Sequence, residues 1–90
     1  MKFTWDDKKE QKNIEKHGLG FDLAEAIIYS PDMRFIEDTR KNYGEQRHIA
    51  YTVLEGIRFS LVYVIRDDEY RIISLRRVHE REWRKNYGDS

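Results

Sequence analysis

Basic side chains are the residues of this chain whose types and spacing best suit chemistry. They cluster at the ends of predicted elements, where Lys16 and His17 close a helix, Arg47 and Arg71 begin strands, and Arg76 and Arg77 end a strand. Guanidinium groups stay charged at any working pH and match phosphate oxygens with paired donors. This set of side chains therefore indicates an anion-binding site.

Cleavage of RNA through the ribose 2′-OH is a reaction that such a set can support without a cofactor. It needs a base for the 2′-OH proton, cations for the crowded phosphorane and an acid for the leaving 5′ oxygen. If the helix end and the first strand of the predicted meander meet, His17 or Glu45 exchanges protons while Lys16 and Arg47 hold phosphate. Tyr63 can stack a base if its sheet face is open.

Each of these assignments has a structural alternative. Arg76 and Arg77 can pair with Glu80 and Glu82 across the junction between the last strand and the last helix. A cation near a helix C-terminus is favoured by the helix dipole alone, with no further role. The residues by themselves therefore lead to a small domain with an anion site whose use stays open.

Composition and motifs exclude several other chemistries. The chain has no cysteine, which removes disulfides, thiolate nucleophiles and Cys-ligated metal sites. It has no Gly-rich phosphate loop and no HExxH motif, and its three histidines are too scattered to define metal ligands. No serine lies in an elbow-like turn. We therefore expect neither a metal nor a cofactor.

The overall composition is typical of one globular domain with a heavily charged surface. Charged residues make up 38% and hydrophobic residues 39% of the chain, so residues 1–90 are treated as a single domain. No apolar run approaches the roughly 20 residues of a membrane helix, and no secretion signal is visible, so we expect a cytoplasmic protein. Net charge is zero, but residues 71–85 hold six basic and two acidic residues.

The first third of the chain predicts one strand and two helices. Capping residues and apolar spacing define the helices, because Asp6 suits an N-cap and Gly18 suits a left-handed C-terminal position. The predicted elements are an edge strand over residues 1–5, a helix over residues 8–16, and a more apolar helix from Phe21 to about Tyr29.

The remainder of the chain predicts four strands and a closing helix. The segments are strands over residues 33–36, 47–54, 58–66 and 70–77, and a helix over residues 78–87. Glu55-Gly56 and Asp67-Asp68 predict two-residue turns that join the last three strands as antiparallel hairpins. We therefore predict an α+β fold, in which two N-terminal helices and one C-terminal helix pack on an antiparallel meander.

Both faces of the predicted sheet are half apolar, so the pattern does not decide which face the helices cover. Two-residue turns place one set on the first face: Ala50, Leu54, Phe59, Leu61, Tyr63 and Ile72. They place a second set on the other face: Arg47, Ile49, Tyr51, Val62, Val64, Ile73 and Leu75. A shift of one residue reverses such an assignment.

Nearly the whole chain resembles the BrnT family of bacterial toxins. The resemblance rests on an ordered series of residues, because each piece alone is common. The series is Trp5-Asp6, Lys9, Asn13, Lys16-His17-Gly18, Phe21, Ala24, Glu45-x-Arg47 and Arg71-Ile72-Ile73-Ser74-x-Arg76-Arg77.

This resemblance implies a RelE-like fold and the ribonuclease half of a type II toxin–antitoxin pair. It implies RNA cleavage without a metal, arrest of translation, and a BrnA-like antitoxin with a ribbon–helix–helix domain. Because that domain dimerises, we expect two toxins on an antitoxin dimer, with operator DNA contacted only through the antitoxin. The expected catalytic residues are Arg76, Arg77, Arg47, His17 and Glu45, and the expected substrate-binding residues are Lys16, Arg71 and Tyr63.

Two other classes of function remain open. One is a toxin relative without catalytic activity that binds an antitoxin or nucleic acid. The other is a protein-interaction domain, which zero net charge and internal charge pairing favour.

Overall fold

A computed structural model describes residues 1–88 as an α+β fold with the predicted order of strands and helices. The elements are β1 Lys2–Trp5, α1 Asp7–His17, a 3-10 turn Phe21–Leu23 leading into α2 Ala24–Ile28, β2 Arg34–Asp38, β3 Arg47–Leu54, β4 Ile57–Arg66, β5 Glu69–Arg77 and α3 Glu80–Asn86. Within residues 1–88, no helix combines the length and apolar character needed to cross a membrane.

The five strands form one mixed sheet in the order β1-β5-β4-β3-β2. The antiparallel meander is confirmed for β2 to β5, and β1 lies at the edge as predicted. The prediction of a wholly antiparallel sheet is wrong, because β1 pairs with β5 in parallel. A hairpin forces neighbouring strands to be antiparallel, whereas β1 and β5 are joined through all the intervening elements and carry no such constraint.

Tight turns set the register of the meander. Glu55 and Gly56 have φ values of 51° and 79°, and Asp67 and Asp68 have values of 52° and 59°. Positive φ at both central residues is the signature of the type I′ turn, whose twist matches that of the flanking strands. The predicted two-residue hairpins are therefore confirmed.

The first of the two predicted face sets is confirmed as part of the main core. Its members pack against α2 and the residues that precede it, including Phe21, Ala24 and Ile27. Leu75 was placed on the opposite face but belongs to this core. A β-bulge explains the correction: β5 carries one extra residue, Ile73, opposite the Val62–Tyr63 step, which reverses the alternation beyond it.

Helices cover both faces of the sheet, a point that the sequence pattern left open. We call the two sides the α2 face and the α3 face. On the α3 face, Val78 and Trp83 pack against Ile49, Tyr51 and Val62. Three residues of this second cluster, Ile49, Tyr51 and Val62, also line the grooves described below.

Helix α1 is fastened to the edge of β5 by a buried asparagine. Asp6 caps its first turn and Gly18, with φ of 71°, ends it, both as predicted. Asn13 accepts from the backbone N–H of Leu75 at 3.0 Å and donates to its carbonyl at 2.8 Å. It also donates to the carbonyl of Leu19 at 2.9 Å. The carboxamide thus pairs with β5 as a strand backbone would, beyond the point where β1 ends.

Candidate functional site

The α1 groove is a cationic depression of about 460 Å³ between α1 and the α3 face of the sheet. Its polar lining includes Lys9, Lys12, Lys16, His17, Arg40, Ser74 and Arg76. Five of these side chains are permanent cations, and no carboxylate occurs among the described residues that line the groove. Such an arrangement concentrates positive potential where an anion can enter.

Helix α1 supplies three of the five cations. Lys9, Lys12 and Lys16 follow each other at intervals of three and four residues, which places them on one side of the helix. Sequence reasoning identified only Lys16 as a ligand for substrate. The spacing of the three lysines was the available signal for the other two.

His17 lies at the end of α1 and lines the same groove. Burial lowers the pKa of His17 below its usual 6.5, and the charges of Lys16, Arg76 and Arg77 lower it further. Its imidazole is therefore neutral at neutral pH and available to accept a proton. Arg77 donates to the carbonyl oxygen of His17 at 3.0 Å, and so holds the helix end that carries this side chain.

Arg76 projects onto the α3 face, where it meets a carboxylate of α3. Its guanidinium donates to Glu82 at 2.7 Å, and the same carboxylate oxygen accepts from the hydroxyl of Tyr51 at 3.0 Å. The hydrogen bond from Arg76 lowers the pKa of Glu82, while burial raises the pKa of Tyr51 to about 12. The anticipated pairing of Arg76 with Glu82 is therefore real, and it fixes the guanidinium where it still lines the groove.

Arg40 is a groove cation that sequence reasoning missed. It follows β2 in a polar loop, and its Nε and Nη2 atoms each donate to the carboxylate of Asp38 at 2.8 Å. The Asp38 side chain is fully buried, and these hydrogen bonds lower its pKa to about 2. A buried aspartate thus orients an exposed arginine toward the groove, a pairing that no local sequence pattern predicts.

Arg47 and Arg71 lie on the same sheet face as Arg76 but outside the α1 groove. Arg71 pairs in register with Val64, and the β3–β4 register continued by one residue places Arg47 on the other side of Val64. The guanidinium of Arg47 stacks on the ring of Tyr43 at 3.9 Å. These two predicted residues therefore extend the positive surface along the strands.

The other three predicted site residues lie elsewhere. Arg77 is on the opposite side of β5 from Arg76, because successive strand residues face opposite sides. Tyr63 is 4% exposed within the core of the α2 face, so the condition for its stacking on a base is not met.

Glu45 lies in the loop before β3 and pairs with Arg66, whose hydrogen bond lowers the pKa of the carboxyl. A carboxylate held in this way is a weak proton acceptor at neutral pH. Within residues 1–88, no three His, Asp or Glu side chains form a cluster suited to a metal ion.

Comparison with known proteins identifies the family of this chain. The family model described as ribonuclease toxin, BrnT, of type II toxin-antitoxin system matches residues 5–82, which include all of the cationic residues of the α1 groove. No curated protein matches the chain. Because the match spans most of the sequence, the chain belongs to the BrnT family of type II toxin–antitoxin ribonuclease toxins, whose substrate is RNA and whose partner is an antitoxin.

Proposed function

We propose that this toxin is a metal-independent endoribonuclease that cleaves RNA through the ribose 2′-OH in the α1 groove. The observation that carries the proposal is the lining of that groove by five cations and a histidine with a lowered pKa. Cations aimed at the developing charge of a phosphorane can supply the stabilisation that a metal supplies in other nucleases.

In the proposed reaction, neutral His17 accepts the proton of the 2′-OH. The 2′ oxygen then bonds to phosphorus, and the bond between phosphorus and the 5′ oxygen breaks. The open groove lets solvent protonate that leaving oxygen, which gives a 2′,3′-cyclic phosphate and a 5′-OH. Arg76 and Arg40 stabilise the phosphorane charge, because each is held at the groove by a carboxylate.

The remaining basic residues have supporting roles in this proposal. Lys9, Lys12 and Lys16 attract the RNA backbone, and Arg47 and Arg71 continue that path along the sheet face. Arg77 acts as a positioning residue through its hydrogen bond to the carbonyl of His17.

We also propose that the antitoxin is a BrnA-like ribbon–helix–helix protein, that two toxins bind one antitoxin dimer, and that operator DNA is contacted only by the antitoxin. A nuclease groove without carboxylates is complementary to an acidic segment, which would block the site and be guided to it by charge. The ribbon–helix–helix fold is an obligate dimer, so it presents two equivalent binding sites.

Replacement of Arg76 tests the catalytic part of the proposal. In an assay of purified toxin on RNA in the presence of EDTA, Arg76→Ala is expected to lower kcat by roughly 10²–10³-fold, because it removes a fixed cation from the transition state. The melting temperature of the variant is measured alongside.

Arg84→Ala is the matched control, because Arg84 pairs with Glu80 on α3 and is outside the α1 groove. It is expected to keep the wild-type rate. Full activity of a folded Arg76→Ala variant contradicts the assignment. RNA binding by the wild-type protein without any cleavage supports instead the alternative of a toxin relative that only binds.

A further inference from the structure

A second depression, which we call the α3 groove, lies beside the α1 groove on the same face. It runs between β2 and α3 and has a volume of about 510 Å³. Arg40 and Arg76 line both grooves, so these two guanidinium groups form the boundary between them. The volume falls in the range of about 300–1,000 Å³ that is typical of small-molecule sites.

The lining of the α3 groove differs chemically from that of its neighbour. Ile36, Ile49 and Tyr51 form an apolar floor and wall. The rim carries four cations and three carboxylates, among them the two boundary arginines with their partners Asp38 and Glu82. Charge is therefore nearly balanced in this groove, whereas the α1 groove has cations alone. An apolar floor with a balanced polar rim suits an uncharged ring with polar edges better than it suits a phosphate.

Hydrogen bonds to carboxylates hold the two boundary arginines in place. Arg40 makes two hydrogen bonds of 2.8 Å to the buried carboxylate of Asp38, and Arg76 makes one of 2.7 Å to Glu82. Because both arginines line both grooves, a phosphate bound between them would leave one groove for each of its two nucleosides. His17 takes the 2′-OH proton in the proposed reaction, so the nucleoside that carries this hydroxyl belongs in the α1 groove.

We propose that the α3 groove is a binding subsite for the nucleobase that follows the cleaved bond, on the leaving-group side. This inference rests on the proposed function, because it takes the direction of the RNA from the role of His17. It makes the apolar floor around Ile36 and Ile49 a determinant of which phosphodiester bond is cut.

Chimeric oligonucleotides test the subsite. Each contains one ribonucleotide in a 2′-deoxy chain, so only one bond can be cleaved through a 2′-OH. Four of them differ in the base after that bond, and a fifth has an abasic tetrahydrofuran there. The wild-type toxin is expected to cleave the best of the four with a kcat/KM about tenfold above that of the abasic chain.

Filling the groove links that preference to the site. Ile36 is 36% exposed on edge strand β2, so a larger side chain at this position enters the groove without entering the core. Ile36→Trp is expected to reduce cleavage of the base-containing chains to the abasic level, so that kcat/KM no longer depends on the base after the cleaved bond. Ile65→Trp is the control, because Ile65 is 51% exposed and pairs with Tyr70 outside the groove.

A binding measurement on the wild-type protein keeps the test independent of how the variant folds. Two all-deoxy chains, one with a base and one with an abasic site after the central bond, are titrated while the methyl signals of Ile36 and Ile49 are followed by NMR. Only the chain with the base is expected to shift these signals. Equal cleavage of abasic and base-containing chains overturns the subsite while the proposed function stands. If the wild-type toxin cleaves none of the five chains, the proposed function is overturned, and the subsite with it.

Discussion

At the scale of single residues, the α1 groove depends on hydrogen bonds that hold its charged side chains and its histidine in place. Asp38 orients Arg40, Glu82 orients Arg76, and Arg77 holds the helix end beneath His17. Asp38 and Glu82 both lie outside the α1 groove, so no carboxylate stands beside Arg40 or Arg76 within the groove itself. The same surroundings disfavour a positive charge on His17, so its imidazole is neutral among the cations.

The pH dependence of cleavage follows from the state of His17. Because its folded pKa lies below the usual 6.5, kcat/KM is expected to fall on an acidic limb below pH 6.5 and to be level above it. His17→Asn is expected to remove that limb and to lower activity at neutral pH, as measured by initial rates from pH 4.5 to 8.

The cause of the lowered pKa and the role of His17 are tested separately. Lys16→Gln removes one of the charges that lower the pKa of His17, so the NMR titration of the His17 ring is expected to move to higher pH. A His17→Asn variant whose pH profile matches that of the wild type, with only a lower melting temperature, would rule out the catalytic assignment.

At the scale of elements, the groove exists because α1 is held against an edge of the sheet. β1 covers only the first half of β5, and Asn13 takes over the hydrogen bonds of the second half at Leu75. The helix is too polar to be held by apolar packing alone, since Asn13 is its one buried residue. The position of the α1 lysines over Ser74 and Arg76 therefore depends on this one side chain.

Loss of this contact has a predicted cost. Asn13→Ala leaves the N–H and carbonyl of Leu75 without their partner, and is expected to lower the free energy of unfolding by about 2–4 kcal/mol. Urea denaturation measures the change.

Asn42→Ala provides the matched comparison. Its side chain accepts one exposed hydrogen bond from Gly44, so its loss is expected to cost about 0.5 kcal/mol or less. Equal destabilisation by the two variants would show that Asn13 does not fasten α1 to β5.

At the scale of the whole molecule, zero net charge conceals a strongly polarised surface. Part of the positive charge in residues 71–85 is neutralised by ion pairs within the same segment, because Arg76 pairs with Glu82 and Arg84 with Glu80. The α1 groove instead gathers its cations from α1, the loop after β2 and β5. This surface is the one that an acidic antitoxin segment would meet first.

Charge reversal in the groove tests how the antitoxin binds. The toxin co-expressed with the product of its neighbouring reading frame is expected to purify as a complex of two toxins on an antitoxin dimer, as measured by light scattering. Lys16→Glu is expected to raise the Kd by at least about tenfold, with a slower association rate, because it repels an acidic segment.

Lys2→Glu serves as the control, because Lys2 lies on the edge strand outside the α1 groove. A toxin that purifies as a lone monomer, beside a co-expressed neighbour that does not protect the cells, would end the proposal. Equal affinity of wild-type and Lys16→Glu toxins for the antitoxin would exclude the α1 groove as its binding surface.

The sequence by itself determined the elements, their order, the two hairpins and the family. The elements and the hairpins depend on interactions within a few residues, such as the Asp6 cap, the left-handed Gly18 and the paired turns at Glu55-Gly56 and Asp67-Asp68. The ordered motifs along the chain carried the family resemblance, and three residues of the α1 groove, Lys16, His17 and Arg76, were among those predicted.

Only the tertiary structure decided which charged residues meet. Strand alternation separates Arg76 from Arg77, the bulge at Ile73 moves Leu75 to the other face, and a buried Asp38 turns Arg40 toward the groove. Parallel pairing of β1 with β5 leaves the edge that Asn13 occupies. Each of these outcomes depends on contacts between segments far apart in the chain, where local propensity carries no information about register or proximity.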